Sequence, residues 1–306
     1  MKVINTIDIQ QFAHENQLLG LSEPSIKAII EGSNNYSLAK ANQFLRFQQR
    51  LNRELLQHPI ITHNAYCQWF AKGEQTLKQL QAFVIQFSVF SNQFIVAQLQ
   101  KVINADSLEG MRASKEILAN EIGVVFNAET TSNKLPSDVP HDIVSAHGSV
   151  EGGRFHFKAA HFEWLLHCAE KLELTFAQIG RRSFAQPATL FYSDELIRLY
   201  GNQDYMISQA ASYAVENWAA AGFWKQLSQG FKTYNQKHST QIPIGFFVWH
   251  DQIEDQHALH TQDELEELYF TREINETKFI EDGNEMLNGV LAFWVGLEQQ
   301  RKRLSH

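Results

Sequence analysis

The stretch His250-Asp-Gln-Ile-Glu254-Asp-Gln-His257 combines residue types and spacing that could do chemistry. On a helix of 3.6 residues per turn, positions i, i+4 and i+7 fall within about 60° of one another, so His250, Glu254 and His257 point the same way. Two imidazoles and a carboxylate on one face make a mixed nitrogen–oxygen donor set. Such a set suits iron and related metals and leaves coordination positions open. The alternative is a polar, solvent-facing helix in a chain that carries 13 His. The run just before it (Ile244, Phe246, Phe247, Val248, Trp249) is strongly apolar, so the helix enters from the core. One helix seldom completes such a site, and carboxylates from other helices must join it.

Three further side chains are candidates for the same work. Glu121 ends an apolar turn, Ile-Leu-Ala-Asn-Glu-Ile-Gly. Glu216 lies in Ala-Ser-Tyr-Ala-Val-Glu-Asn-Trp-Ala-Ala-Ala, where nearly every neighbour is small or apolar. A carboxylate on such a face is costly to bury unless it is paired or binds metal; on an exposed helix face it needs no explanation. His161 heads Ala-Ala-His-Phe-Glu-Trp-Leu-Leu-His-Cys, where a histidine can equally be a hydrogen-bonded core or capping residue. Cys168 falls two turns later and reads as a small buried residue, with a nucleophile as the alternative. Arg181 and Arg182 could grip a substrate carboxylate with paired donors, or stand as exposed helix-end charges.

These residues must be positioned by helices. Ser22-Glu-Pro is a helix start, with Ser22 as cap and Pro24 in the first turn. Helix formers run from Ser37 to Gln57 and stop at His58-Pro59. Thr76 to Lys101 is the clearest amphipathic helix, with Leu77, Leu80, Val84, Phe87 and Phe94 on one stripe. A helix from Ser107 to Glu121 follows, then a long excursion from about Asn127 to Gly153, a length that is usually functional or mobile. Phe162–Leu174, Ser193–Tyr200 and Ser208–Lys237 read as helices. Another opens at Pro243 and ends near Leu259, where the capping-box pattern Thr261-Gln-Asp-Glu264 starts a new one. The last helix carries Phe279, Met286, Val290, Phe293 and Leu297 on one face. No strand-like alternation is sustained, so the class is all-α.

Composition narrows the function. The chain of 306 residues has 44% hydrophobic and 20% charged residues, 22 Phe and 6 Trp. Only 6 Pro and 16 Gly interrupt it, which suits long helices. A net charge of −8 without a basic face argues against nucleic acid as partner. Arg301, Lys302 and Arg303 read as a solvated helix end. Two cysteines, Cys67 and Cys168, fit a reducing cytoplasm. No signal peptide and no apolar run of about 20 residues is read, so the expectation is a soluble cytoplasmic protein without a membrane partner.

Together the segments resemble the haem-oxygenase-like diiron oxidases and iron-containing redox enzymes, which include the chlamydial death-domain-associating protein. The resemblance is carried by His58-Pro59, Trp69 to Gly73, Gln86-Phe87 to Phe94, Asn120-Glu121-Ile-Gly123, His161 ahead of Leu165-Leu166, Glu216, His250-x3-Glu254-x2-His257 and the closing amphipathic helix. It covers residues 38 to 300. It implies an all-α, haem-oxygenase-like bundle of about seven core helices, spanning 38–306 behind an N-terminal helical extension, 1–37. It also implies a metal site of Glu121, His161, Glu216, His250, Glu254 and His257. Two features depart from the family pattern: Glu254 stands where Asp is usual, with Asp251 and Asp255 beside it. Glu121 and His161 are also much further apart in the chain than about two turns. The segment 127–153 is accordingly read as an insertion that interrupts that helix near the mouth of the site and acts as a lid.

The function implied is a non-haem dinuclear iron oxygenase or oxidase acting with O2 on a small organic (carboxylic or amino) acid, with a homodimer as one possible assembly. Iron, about two per chain, or an iron–manganese pair is favoured over zinc, since the inferred ligands include three carboxylates and no thiolate. One alternative is a metal-free hydrolase on the same fold, similar to thiaminase II, using Cys67 or Cys168. Another is a non-catalytic helical interaction protein.

Overall fold

A computed structural model describes residues 6–126, 155–157 and 161–305; the side chains at 6–7, 109, 124–126, 155–157 and 253–260 lie outside that description. The chain begins with α1 (Thr6–Glu15), α2 (Glu23–Ile30) and α3 (Leu38–Glu54). Ser22 caps α2 through the Ser25 N–H, with a proline in the first turn, and Ser37 caps α3 through the Lys40 N–H. The Glu266 carboxylate, 2% exposed, accepts from the Ser22 backbone and hydroxyl and so ties the start of α2 to a distant helix. Ala41, Phe44, Phe47 and Leu51 form the buried stripe of α3.

Two short helices, α4 (Pro59–Thr62) and α5 (Ala65–Phe70), lead into the 27-residue α6 (Leu77–Ile103). Thr76 and Gln79 close a reciprocal capping box at its start. Leu80, Phe83, Val84 and Phe87 are buried along α6, whereas Leu77, its first residue, is exposed. By length and composition α6 is apolar enough to cross a membrane, which the sequence reading missed; half of its most apolar stretch is buried inside the fold. Val96, Leu99 and Ile103 near its C-terminal end are exposed.

After α7 (Leu108–Glu121) two three-residue strands, β1 (Val124–Phe126) and β2 (Phe155–Phe157), pair antiparallel with Val124 opposite Phe157. Then come α8 (His161–Glu170), α9 (Pro187–Leu199), α10 (Tyr205–Ala219), α11 (Phe223–His238), α12 (Gly245–Thr271) and α13 (Glu276–Arg303). The core is built where α13 packs on α9 and α10, α6 on α7 and α9, and α12 on α10 and α11. Phe279, Met286, Val290, Phe293 and Leu297 of α13 are all buried, as their spacing predicts.

The helix read as 162–174 ends at Glu170, and other boundaries differ from expectation as well. The expected helix 208–237 is two helices, because Gly222 adopts φ +85°, a left-handed conformation that no α-helix can pass through. The Thr261–Glu264 pattern does not start a helix. It lies inside the unbroken α12, whose residues after Gly245 include neither Gly nor Pro, and any interior turn can place a threonine three residues before a glutamate. Finally, α9 begins at Pro187 rather than near 193, because proline at the first helical position forgoes an N–H that would be unpaired anyway. The expected insertion or lid, 127–153, falls outside the described residues.

Candidate metal centre

Glu121 is the last residue of α7. Ile122 caps it through the Leu118 carbonyl, and Gly123, at φ +72°, turns the chain away into β1. His161 is the first residue of α8, separated from β2 by three residues. The antiparallel β1–β2 pair therefore closes the base of the excursion and returns the chain to the place it left. It brings together two residues 40 positions apart: the His161 Nδ1 lies 3.0 Å from the Glu121 Oε2.

His250 arrives from α12. Glu121, His161 and His250 each offer a donor atom, and these atoms lie within 4.8 Å of one another. The two imidazole centroids are 4.7 Å apart. Both histidines are buried at 7% exposure, and the Glu121 side chain is 14% exposed. The His250 Nδ1–H donates to the Phe246 carbonyl one turn earlier at 2.6 Å, which leaves Nε2 as the lone-pair nitrogen. Tying off one ring nitrogen in this way fixes the tautomer and orientation of a metal-binding histidine. Trp224 stacks on the His250 ring at 4.4 Å, Phe246 lies 4.4 Å from it, and Trp164 lies 5.5 Å from His161.

The donor set fits a metal ion. Two donors each about 2.1 Å from one ion and at right angles to it are about 3.0 Å apart, which is the Glu121–His161 separation. Two histidines and one carboxylate with open positions is the set that non-haem iron sites use.

The other expected ligands stand differently. Glu216 is buried on α10 at 7% exposure but is not part of the three-residue group. Glu254 and His257 lie on α12, within the stretch whose side chains are outside the description. Lys101 is a residue whose role was not read from sequence. It is 5% exposed, and its Nζ donates to the Ser212 Oγ at 2.7 Å, one turn before Glu216 on α10. Burial pushes its pKa down, partly offset by the charges of Glu264 and Glu216. The available signal was a lysine beside Gln98 and Val102 on the buried face of α6. Removing one partner from a buried charge arrangement costs roughly 3–5 kcal/mol. Lys101→Met is expected to lower metal-free stability by about that much; urea unfolding measures it.

The cysteines do not offer a competing active site. Cys168 and Cys67 are fully buried. Burial alone pushes the Cys168 thiol up to about 12 and raises the Cys67 thiol well above its ordinary value. A nucleophilic cysteine needs the opposite environment. Neither thiol is expected to react with Ellman's reagent until the chain is unfolded, when both should; a fast-reacting thiol in the folded protein would contradict this.

Sequence comparison finds no matching family model and no matching curated protein. Structural comparison does find matches. A domain of unknown function with a haem-oxygenase-like fold from Shewanella denitrificans OS217 aligns at TM-score 0.55 and 12% identity, covering 86% of this chain and 93% of that one. A CADD-like protein of unknown function from Nostoc punctiforme PCC 73102 aligns at TM-score 0.55 and 17% identity, covering 85% of this chain and 98% of that one. A second structure of the Nostoc protein aligns at TM-score 0.52 and 16% identity, covering 85% and 96%. At these identities the likeness is one of fold: the chain has a haem-oxygenase-like, all-α architecture.

Proposed function

We propose that the chain is a non-haem dinuclear iron oxygenase or oxidase that uses O2 to oxidise a small carboxylic or amino acid. The observation that carries this reading is the buried group Glu121, His161 and His250, with the His250 Nδ1 tied to the Phe246 carbonyl. The haem-oxygenase-like fold is compatible with it. Iron bound here would supply O2 binding and electron transfer to it.

The chain's own residues do the rest. Glu121 contributes a negative donor from the end of α7, and His161 contributes a neutral one from the start of α8. His250 has its Nδ1 occupied by the Phe246 carbonyl, so Nε2 is the nitrogen it would offer a metal. Glu216, Glu254 and His257 are the proposed ligands of a second ion. Trp224, Phe246 and Trp164 wall the imidazoles and exclude bulk water, which strengthens every charge interaction inside. Lys101, hydrogen-bonded to Ser212 one turn before Glu216, is held within the electrostatic reach of Glu264 and Glu216. A soluble, cytoplasmic setting and a small-molecule substrate complete the proposal.

Its test is oxygen uptake. Protein loaded anaerobically with iron(II) is mixed with O2 in an oxygen-electrode cell, beside zinc-loaded protein and iron(II) in buffer. Uptake that is faster than free iron and absent with zinc supports the reading. Uptake equal to that of free iron(II) would sink it.

A further inference from the structure

Burial of a lysine is costly unless a carboxylate answers the ammonium at close range. Lys101, near the end of α6, is 5% exposed, and among the described residues no other lysine or arginine is buried. Among those residues its Nζ makes one hydrogen bond, to the Ser212 Oγ at 2.7 Å, and lies 4.8 Å from the Tyr200 ring centroid. Lys278, exposed on α13, shows the ordinary arrangement: its Nζ lies 2.8 and 2.9 Å from the two Asp282 oxygens, and the charges cancel on the spot.

A hydroxyl and a ring face hold an ammonium in place without cancelling its charge. The platform is itself pinned: the Tyr200 hydroxyl donates to the Gln98 Oε1 at 2.7 Å, and the Gln98 Nε2 donates to the Ser114 carbonyl at 2.8 Å. The charge stands beside the α10 side of the proposed metal centre. Ser212 and Glu216 are four residues apart on α10, so they share one face with Cβ atoms about 5–6 Å apart, and both are buried. The charges of Glu216, Glu264 and Glu121 all act on the Tyr200 hydroxyl beneath the ammonium. Glu264, only partly buried, screens Lys101 in part.

We propose that Lys101 is a fixed positive charge that tunes the redox balance of the iron centre, holding the ion at Glu216 toward the ferrous state. The inference rests on the metal reading proposed above and deepens it. By Coulomb's law a neighbouring positive charge disfavours the ferric ion more than the ferrous one, since the ferric ion carries one charge more. The buried setting strengthens that difference. On reduction each ferric ion takes one electron from the reductant. Lys101 keeps its proton, and no bond to it forms or breaks. The ferrous state is the one that reacts with O2, so the lysine keeps the resting centre ready for it. A directly paired lysine would lose most of this effect, because its partner's negative charge would offset its own.

The test is an anaerobic redox titration of the full chain loaded with iron, with dithionite as reductant and soluble mediators, followed by the ferric absorbance. Iron content is measured on every sample. Lys101→Met and Lys101→Gln should each shift the ferric–ferrous equilibrium toward ferric by roughly tenfold or more, a fall in midpoint of about 59 mV for one electron. Lys101→Arg, which keeps the charge, should stay within about twofold of the parent, about 18 mV. Lys101→Gln retains a donor for Ser212 and stands in if Lys101→Met does not fold. Midpoints in the neutral variants within that same twofold of the parent overturn the role of Lys101 while leaving the iron reading intact. A fall in Lys101→Arg equal to that in the neutral variants also overturns it, because shape rather than charge would then set the potential. A parent chain that binds no iron fails the metal reading, and the tuning role falls with it.

Discussion

Replacing His250 with alanine is expected to weaken iron(II) binding at least a hundredfold, about 2.7 kcal/mol, while the helical content stays the same. The magnitude follows from what the imidazole does. Loss of a group that merely orients a ligand costs 10–100-fold in metal affinity. His250 is a donor itself, within 4.8 Å of the Glu121 and His161 donors, so its loss should exceed that range. The helix does not depend on it: α12 continues on both sides, and alanine is the strongest helix former. Isothermal titration with iron(II) under argon, paired with far-ultraviolet circular dichroism, measures both halves. Parental affinity in the variant would remove His250 from the site.

Phe87→Ala should cost about 3–5 kcal/mol of stability and weaken iron binding in the same step. Phe87 is fully buried near the middle of α6. Its ring meets Phe83, Phe90, Trp224, Phe246 and Phe247. Two of these, Trp224 and Phe246, are the rings that flank His250. A cavity at Phe87 removes contacts that α6 cannot restore by collapsing, because α7 and α9 already pack on it. Against a typical total of 5–15 kcal/mol, the loss is large. Urea unfolding of metal-free protein gives the stability term, and iron titration gives the coupling. Full affinity in a destabilised variant would show that the aromatic wall holds the fold without orienting the ligand.

Much of this arrangement was legible in the chain because helical periodicity is a strong signal over long segments. The α13 face of Phe279, Met286, Val290, Phe293 and Leu297 repeats at steps of seven, four, three and four residues, and all five residues are buried. Short-range chemistry was less legible. Thr261 and Glu264 match a capping box yet sit inside α12, since the pattern fixes spacing and not the backbone angles of a cap. Gly222 ends one helix and begins another because of its left-handed φ, which sequence does not display.

The site was readable in part for a related reason. Glu121 and His161 entered the ligand set through the family resemblance, since by themselves they read as an exposed carboxylate and a core or capping histidine; their donor atoms lie close to that of His250. That convergence depends on the β1–β2 pair, two three-residue strands too short to show alternation. Lys101 was overlooked because a lysine near the end of an amphipathic helix ordinarily reaches solvent; only the position of α10 reveals that it meets Ser212 instead. Trp224 was hidden in the same way. Its stacking on His250 joins two helices whose relative placement no local pattern encodes.

The central claim is that Glu121, His161 and His250 hold iron. Its most direct test is iron K-edge X-ray absorption on anaerobically loaded protein, read beside the iron content of the same sample and of Glu121→Ala. The account predicts about two irons per chain, imidazole scattering in the parent spectrum, and a clear loss of iron in the variant. Iron that is absent from the parent, or bound without imidazole and retained by Glu121→Ala, would contradict it.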